Sequence, residues 1–228
     1  MPKTLSVLSL GTRRDAKHWY EYAAGHLGYE QNVRVISRRP SIDDIRGFFG
    51  QTDDWLFFGG HFVDLPRPQL YNEREDCRVE FARENVRVQV GAETTELVKG
   101  RDFRQHERVK CVFWGGCNVS TSEDTVNTLR GLFGARHLMV GWKGKTGWEV
   151  LFSLMGGFGN VPPHASRDFF DRIRGGDTDL EAVRLAWMRT ALDTDWRNYN
   201  INNRLSLIEP NGQEWIIRDG AIVRGRRF

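Results

Sequence analysis

The sequence predicts an α/β protein: a three-layer α/β/α sandwich around a mostly parallel sheet, with β-hairpin insertions. Three observations lead there. Strand-sized apolar runs alternate with helical patterns from about residue 3 to residue 160. Several of those runs are apolar throughout, as buried strands are. The 228 residues are 39% hydrophobic and 12% aromatic, with eight Trp and fourteen Phe, which is enough for a real core.

The elements follow in order. Lys3 to Gly11 (KTLSVLSLG) reads as a buried strand closed by glycine. Asp15 to Leu27 reads as a helix, with Asp15 as N-cap and Trp19, Tyr22, Ala23 and Leu27 at helical spacing. Asn32 to Ser37 is a β-branched strand. Ser41 opens a short helix, with Asp44 placed to complete a near capping box. Asp54 to Phe58 is a third strand, followed at once by Gly59-Gly60-His61. Within the polar stretch Pro66 to Arg108, residues Cys77 to Val90 alternate apolar and polar about Glu84-Asn85, the pattern of a half-exposed hairpin. Arg108 to Trp114 is a buried strand ending in Gly115-Gly116-Cys117.

Ser120 to Phe133 reads as a helix, with Ser120 and Glu123 as a capping box and Val126, Leu129, Leu132 and Phe133 as its apolar stripe. His137 to Trp142 is a further strand, and Trp148 to Phe158 and Leu180 to Thr190 look helical. Leu205 to Val223 carries two strand-like runs around Pro210-Asn211-Gly212, with Asp219-Gly220 as a turn. No repeat or linker divides the chain. One domain over residues 1–228 is expected, with its core at about 3–160 and helices and a hairpin at 161–228.

Composition narrows the function. No stretch approaches the roughly 20 apolar residues of a membrane helix, and Met1 to Leu5 show no signal-peptide hydrophobic region. A cytoplasmic protein without a membrane partner is expected. The 33 Lys+Arg against 30 Asp+Glu leave a formal charge of +3. The excess gathers at Arg218, Arg224, Arg226 and Arg227, and a short basic end is ordinarily solvated, so no nucleic-acid partner is expected. Cys77, Cys111 and Cys117 include no CxxC pair, and neither H-E-x-x-H nor a paired His/Cys spacing occurs. The Gly156-Gly157-Phe158-Gly159 run has no Lys-Ser/Thr beside it to make a phosphate loop. No metal or other cofactor is expected.

Two buried strands end alike, in Trp55-Leu56-Phe57-Phe58-Gly59-Gly60-His61 and Cys111-Val112-Phe113-Trp114-Gly115-Gly116-Cys117. Ligands of an open parallel sheet sit at the carboxyl ends of its strands. If these two strands are parallel neighbours, His61 and Cys117 leave the sheet on one edge. The glycines permit a sharp turn and leave backbone N–H groups open to an oxyanion. A helix starting at Ser120 would place its positive end near Cys117 and favour the thiolate. A Cys–His pair of this kind attacks carbonyls, with the imidazole as base and then as acid. Cys77 in the hairpin and Cys111 inside a strand read as structural. His18 and His26 read as surface or packing residues, His106 as part of a solvated face and His137 as structural, and nothing draws His164 to a site. Asp54 and Asp64 flank His61 and are candidates to orient it.

The arrangement resembles the caspase-fold cysteine peptidases, the group of caspases, metacaspases, gingipains, separase and CHAT-domain peptidases. Three stretches carry the likeness: Asp54 to Phe62 (DWLFFGGHF), Val109 to Ser120 (VKCVFWGGCNVS) and Leu129 to Gly147 (LRGLFGARHLMVGWKGKTG). The His precedes the Cys by 56 residues, close to the roughly 50 of caspases. The resemblance implies His61 as catalytic acid and base and Cys117 as nucleophile. It implies oxyanion or substrate contacts from Gly59, Gly60, Phe62, Gly115 and Gly116. It also implies a pocket wall from Trp142 to Thr146, which includes Lys143. Phe62 stands where many members have glycine, and Gly115 where metacaspase-like members have an acidic residue, so no basic P1 preference follows. The expected activity is cleavage of a polypeptide substrate through a thioester, in an effector gated by a regulatory protein partner or by cleavage. The alternatives are a non-catalytic caspase-like module that binds a peptide or partner, and a Cys-dependent acyl transferase or amidase.

Overall fold

The computed structural model describes residues 5–10, 33–37, 40–50, 55–64, 66–72, 74, 76–103, 109–114, 118–134, 136–143, 204–218 and 221–228, with four single positions at 181, 184, 185 and 188. Strand dominates. β1 (Leu5–Ser9), β2 (Val33–Ser37) and β3 (Trp55–Gly59) form where the apolar runs predict them, with α1 (Ile42–Phe49) between β2 and β3. The capping box at α1 is complete: Asp44 N donates to Ser41 Oγ at 3.1 Å, and Ser41 N donates to Asp44 Oδ2 at 2.9 Å. Each bond satisfies a backbone N–H that has no helical acceptor.

The middle of the chain then makes five short strands: β4 (His61–Val63), β5 (Gln69–Tyr71), β6 (Cys77–Phe81), β7 (Asn85–Val90) and β8 (Glu93–Val98). They pair in chain order, every pair antiparallel, into a sheet of their own. The predicted hairpin is β6 and β7, closed by Ala82 N donating to Asn85 O at 2.9 Å. β9 (Cys111–Trp114), α2 (Glu123–Phe133) and β10 (Leu138–Lys143) follow, and β11 (Arg204–Ile208), β12 (Gln213–Arg218) and β13 (Ala221–Arg227) end the chain. The expected helix over Leu180 to Thr190 has helical backbone at its four described positions. The helices expected over 15–27 and 148–158 lie outside the described residues.

The large sheet has the order β13-β12-β11-β10-β9-β3-β1-β2. Its half from β2 to β10 is parallel, and β11, β12 and β13 are added antiparallel. The expected three-layer α/β/α sandwich with a mostly parallel sheet is therefore incorrect. The fold is a mixed eight-stranded sheet beside an antiparallel five-stranded one, with two delimited helices among the described residues. Residues 61–98 build a second sheet where only a hairpin insertion was expected. β12 follows β11 after four residues and β13 follows β12 after two, connections too short for a parallel crossover.

One hydrophobic cluster joins both sheets and both helices. Phe58 is at its centre, stacked on Trp114 with centroids 4.2 Å apart and edge-on to Phe81 at 5.9 Å. Phe48 and Phe133 are 5.4 and 5.5 Å from it. On the opposite face of the large sheet Val7, Trp55, Phe57, Phe113 and Val140 are buried as well. Phe57 and Phe113 stack there at 4.6 Å and 6°. Phe57 and Phe113, like Phe58 and Trp114, are register partners of β3 and β9. Stacked pairs on both faces thus oppose any slip of these two strands, because a one-residue slip would turn every ring to the wrong face.

Candidate active site

β3 and β9 are parallel neighbours, with Phe58 opposite Trp114. In each motif the paired ring is followed by two glycines and then the candidate residue, His61 or Cys117. The carboxyl ends of the two strands therefore share one edge of the sheet. Gly115, Gly116 and Cys117 lie outside the described residues, and Trp114 and Asn118 flank them.

Gly59 and Gly60 carry the chain out of the large sheet and into the small one. Gly59 O accepts Leu10 N at 2.8 Å, and a Cβ on Gly59 would be 3.2 Å from Ser9 Oγ. Gly60 has φ +138°, and a Cβ there would meet the Tyr71 carbonyl oxygen at 3.1 Å. The chain needs glycine at Gly60 both for its dihedral and for the approach of β5. His61 then begins β4, half-buried, opposite Tyr71. The two rings lie 5.4 Å apart and 25° from parallel, a stacked arrangement. Tyr71 carries no sequence signal, because it sits in a three-residue strand within the polar stretch. Phe62 is 3% exposed, and its ring meets Trp114 edge-on at 6.0 Å, so its side chain belongs to the core. Asp64 is half-buried, and Asp54 lies outside the described residues.

Beyond Cys117 the chain is held closely. Asn118 takes φ 59°, a left-handed conformation that Asn tolerates. Thr121 N donates to Asn118 O at 3.1 Å. Val119 is buried against Gly141, and the buried Ser120 Oγ donates to Gly141 O at 3.3 Å. The expected capping box at Ser120 is therefore incorrect. Ser122 is the N-cap, its Oγ accepting Thr125 N at 3.2 Å, and α2 begins at Glu123. Its dipole starts further from Cys117 than expected, and such effects fade within a turn.

Trp142 and Lys143 end β10, with Trp142 opposite Leu205. The Lys143 ammonium lies 3.1 and 3.3 Å from the carboxylate oxygens of Glu214, which is fully buried. Ser206 Oγ donates to the same carboxylate at 3.1 Å, and Arg226 N donates to it at 2.9 Å. The Arg226 guanidinium reaches back to the loop after Cys117, donating to Ser120 O at 2.7 Å and Thr121 O at 2.9 Å. Sequence reasoning missed Glu214 and read Arg226 as a solvated end.

Cys77 and Cys111 are buried free thiols. Burial, with a smaller contribution from Asp76, raises the Cys77 pKa to about 11, and burial alone pushes Cys111 well above its usual range. Neither is a thiolate at neutral pH. An unfolded thiol ionises near 9.0, so above that pH the unfolded chain loses a proton that folded Cys77 keeps. The resulting stability is complete below pH 9 and is lost as pH rises through 11. Urea unfolding at pH 8 and pH 11 is expected to show a smaller fall for Cys77→Ser than for wild type, by roughly 2–3 kcal/mol. Equal falls would show that Cys77 is not so buried.

Among the described residues no group of three or more His, Cys, Asp or Glu side chains is gathered to hold a metal ion, and no described helix is long and apolar enough to cross a membrane. No protein-family model matches the chain, and no curated protein matches it in sequence.

Proposed function

We propose that the chain is a cysteine endopeptidase acting through Cys117 and His61. The observation that supports this reading is the parallel pairing of β3 with β9, Phe58 opposite Trp114, which puts the strand ends that precede the two Gly-Gly motifs at one sheet edge. Buried Cys77 and Cys111 leave Cys117 as the candidate nucleophile.

The chemistry follows from these groups. His61 takes the Cys117 proton, and the thiolate adds to the scissile carbonyl. The candidate donors to the developing oxyanion are backbone N–H groups of Cys117 and of the Gly59 to Phe62 segment. The imidazolium gives its proton to the leaving amine as the C–N bond breaks, leaving a thioester. Water then attacks with His61 as base, the C–S bond breaks, and the carboxylic acid leaves.

The test is digestion of a diverse peptide library, read by mass spectrometry. The reading predicts a defined set of cut sites that disappear in Cys117→Ala and in His61→Ala. No cleavage by wild type, together with no labelling of Cys117 by a thiol-reactive probe, would instead favour a peptide-binding module. Cleavage that survives both substitutions would remove the dyad from the account.

A further inference from the structure

We infer that Arg226 is a positioning residue for Cys117, clamping the loop that follows it and bringing positive charge to that loop. This rests on Cys117 being the reactive thiol. The observation is the fork of charge-assisted hydrogen bonds from one guanidinium to two consecutive carbonyls, Ser120 O at 2.7 Å and Thr121 O at 2.9 Å. These carbonyls precede the α2 N-cap at Ser122, so Arg226 serves backbone that the helix leaves aside.

The clamp has an anchored base. Glu214 Oε2 accepts Arg226 N at 2.9 Å and lies 3.7 Å from its Nε. The Phe228 ring lies 4.8 Å from the guanidinium carbon. A Cβ on Gly225 would collide with the Glu214 carboxylate, so only glycine lets β13 come this close. From the other side β10 holds the same loop, through Ser120 Oγ to Gly141 O and Val119 against Gly141. The loop is thus fixed from two strands, and Asn118 at its start is bonded to Cys117. The Arg226 guanidinium brings its positive charge directly to the carbonyls of that loop. Positive charge near a thiol favours its ionised form.

The test measures alkylation of Cys117 by iodoacetamide as a function of pH, followed on the Cys117 peptide by mass spectrometry. Wild type, Arg226→Ala and Arg226→Lys are compared, with thermal unfolding and, where peptides are cut, kcat and KM. Arg226→Ala is expected to lower the rate at pH 7 about fivefold and move the profile to higher pH. Arg226→Lys keeps the charge but loses the fork, so it should recover the profile in part. In the peptidase assay kcat should fall while KM holds. If Arg226→Ala does not fold, the Lys variant alone still reads the loss of the fork. Profiles that superimpose on wild type overturn the proposal. A displaced profile in a protein that cuts no peptide supports the clamp and counts against the peptidase reading instead.

Discussion

Peptide cleavage by Cys117→Ala is expected to fall at least about a thousandfold, and by His61→Ala about 10²- to 10⁴-fold. The two effects have different origins. On the proposed mechanism, alanine at 117 removes the atom that would form the thioester, and the remaining sheet edge can only bind. On the same mechanism, alanine at 61 leaves the nucleophile but removes the group that would take its proton and return it to the leaving amine. If the two side chains act as one unit, the double variant should cleave no more slowly than Cys117→Ala. Initial rates on one well-cut peptide check this. Additive losses would mean that His61 serves some step other than activation of Cys117.

The second large effect is on stability. Phe58→Ala is expected to cost about 3–5 kcal/mol and to lower the unfolding midpoint by roughly 10 °C. Phe58 is 2% exposed and touches aromatic rings from both helices, from β6 and from β9. Those rings come from four different elements, so no single shift can fill the space it leaves. The cost extends to the site, because Trp114 loses its stacking partner on the strand that leads to Cys117. Urea unfolding of the variant measures the loss, and a cost below about 1 kcal/mol would show that the cluster can repack.

The two strands that lead to the candidate site were legible in the sequence. The runs Trp55 to Phe58 and Cys111 to Trp114 are too apolar to be anything but buried, and their common Gly-Gly endings stand out without any structure. Their adjacency is a long-range fact, set by stacked pairs such as Phe57 with Phe113. α1 was legible because its capping box is local, formed within Ser41 to Asp44. α2 was misplaced at its start because Ser120 and Ser122 are both sound N-caps by local rules. Tertiary structure decides between them, since Ser120 Oγ is drawn to Gly141 O.

β4 and β5 were missed because three residues with one buried side chain each leave no period to detect. That omission, with β11 to β13, turned a mixed sheet and an antiparallel sheet into an expected sandwich. Glu214 is the clearest case of hidden information. A carboxylate between Gln213 and Trp215 reads as solvated, yet it is buried because Lys143, Ser206 and Arg226 converge on it from three other strands.

The central claim is that His61 and Cys117 act together from neighbouring strand ends. The pH dependence of Cys117 alkylation in wild type and in His61→Ala tests it most directly, since it requires no substrate. The account predicts a wild-type thiol that becomes reactive below the ordinary cysteine range of about 8.5, and a return toward that range when His61 is replaced. Identical profiles for the two proteins would contradict it.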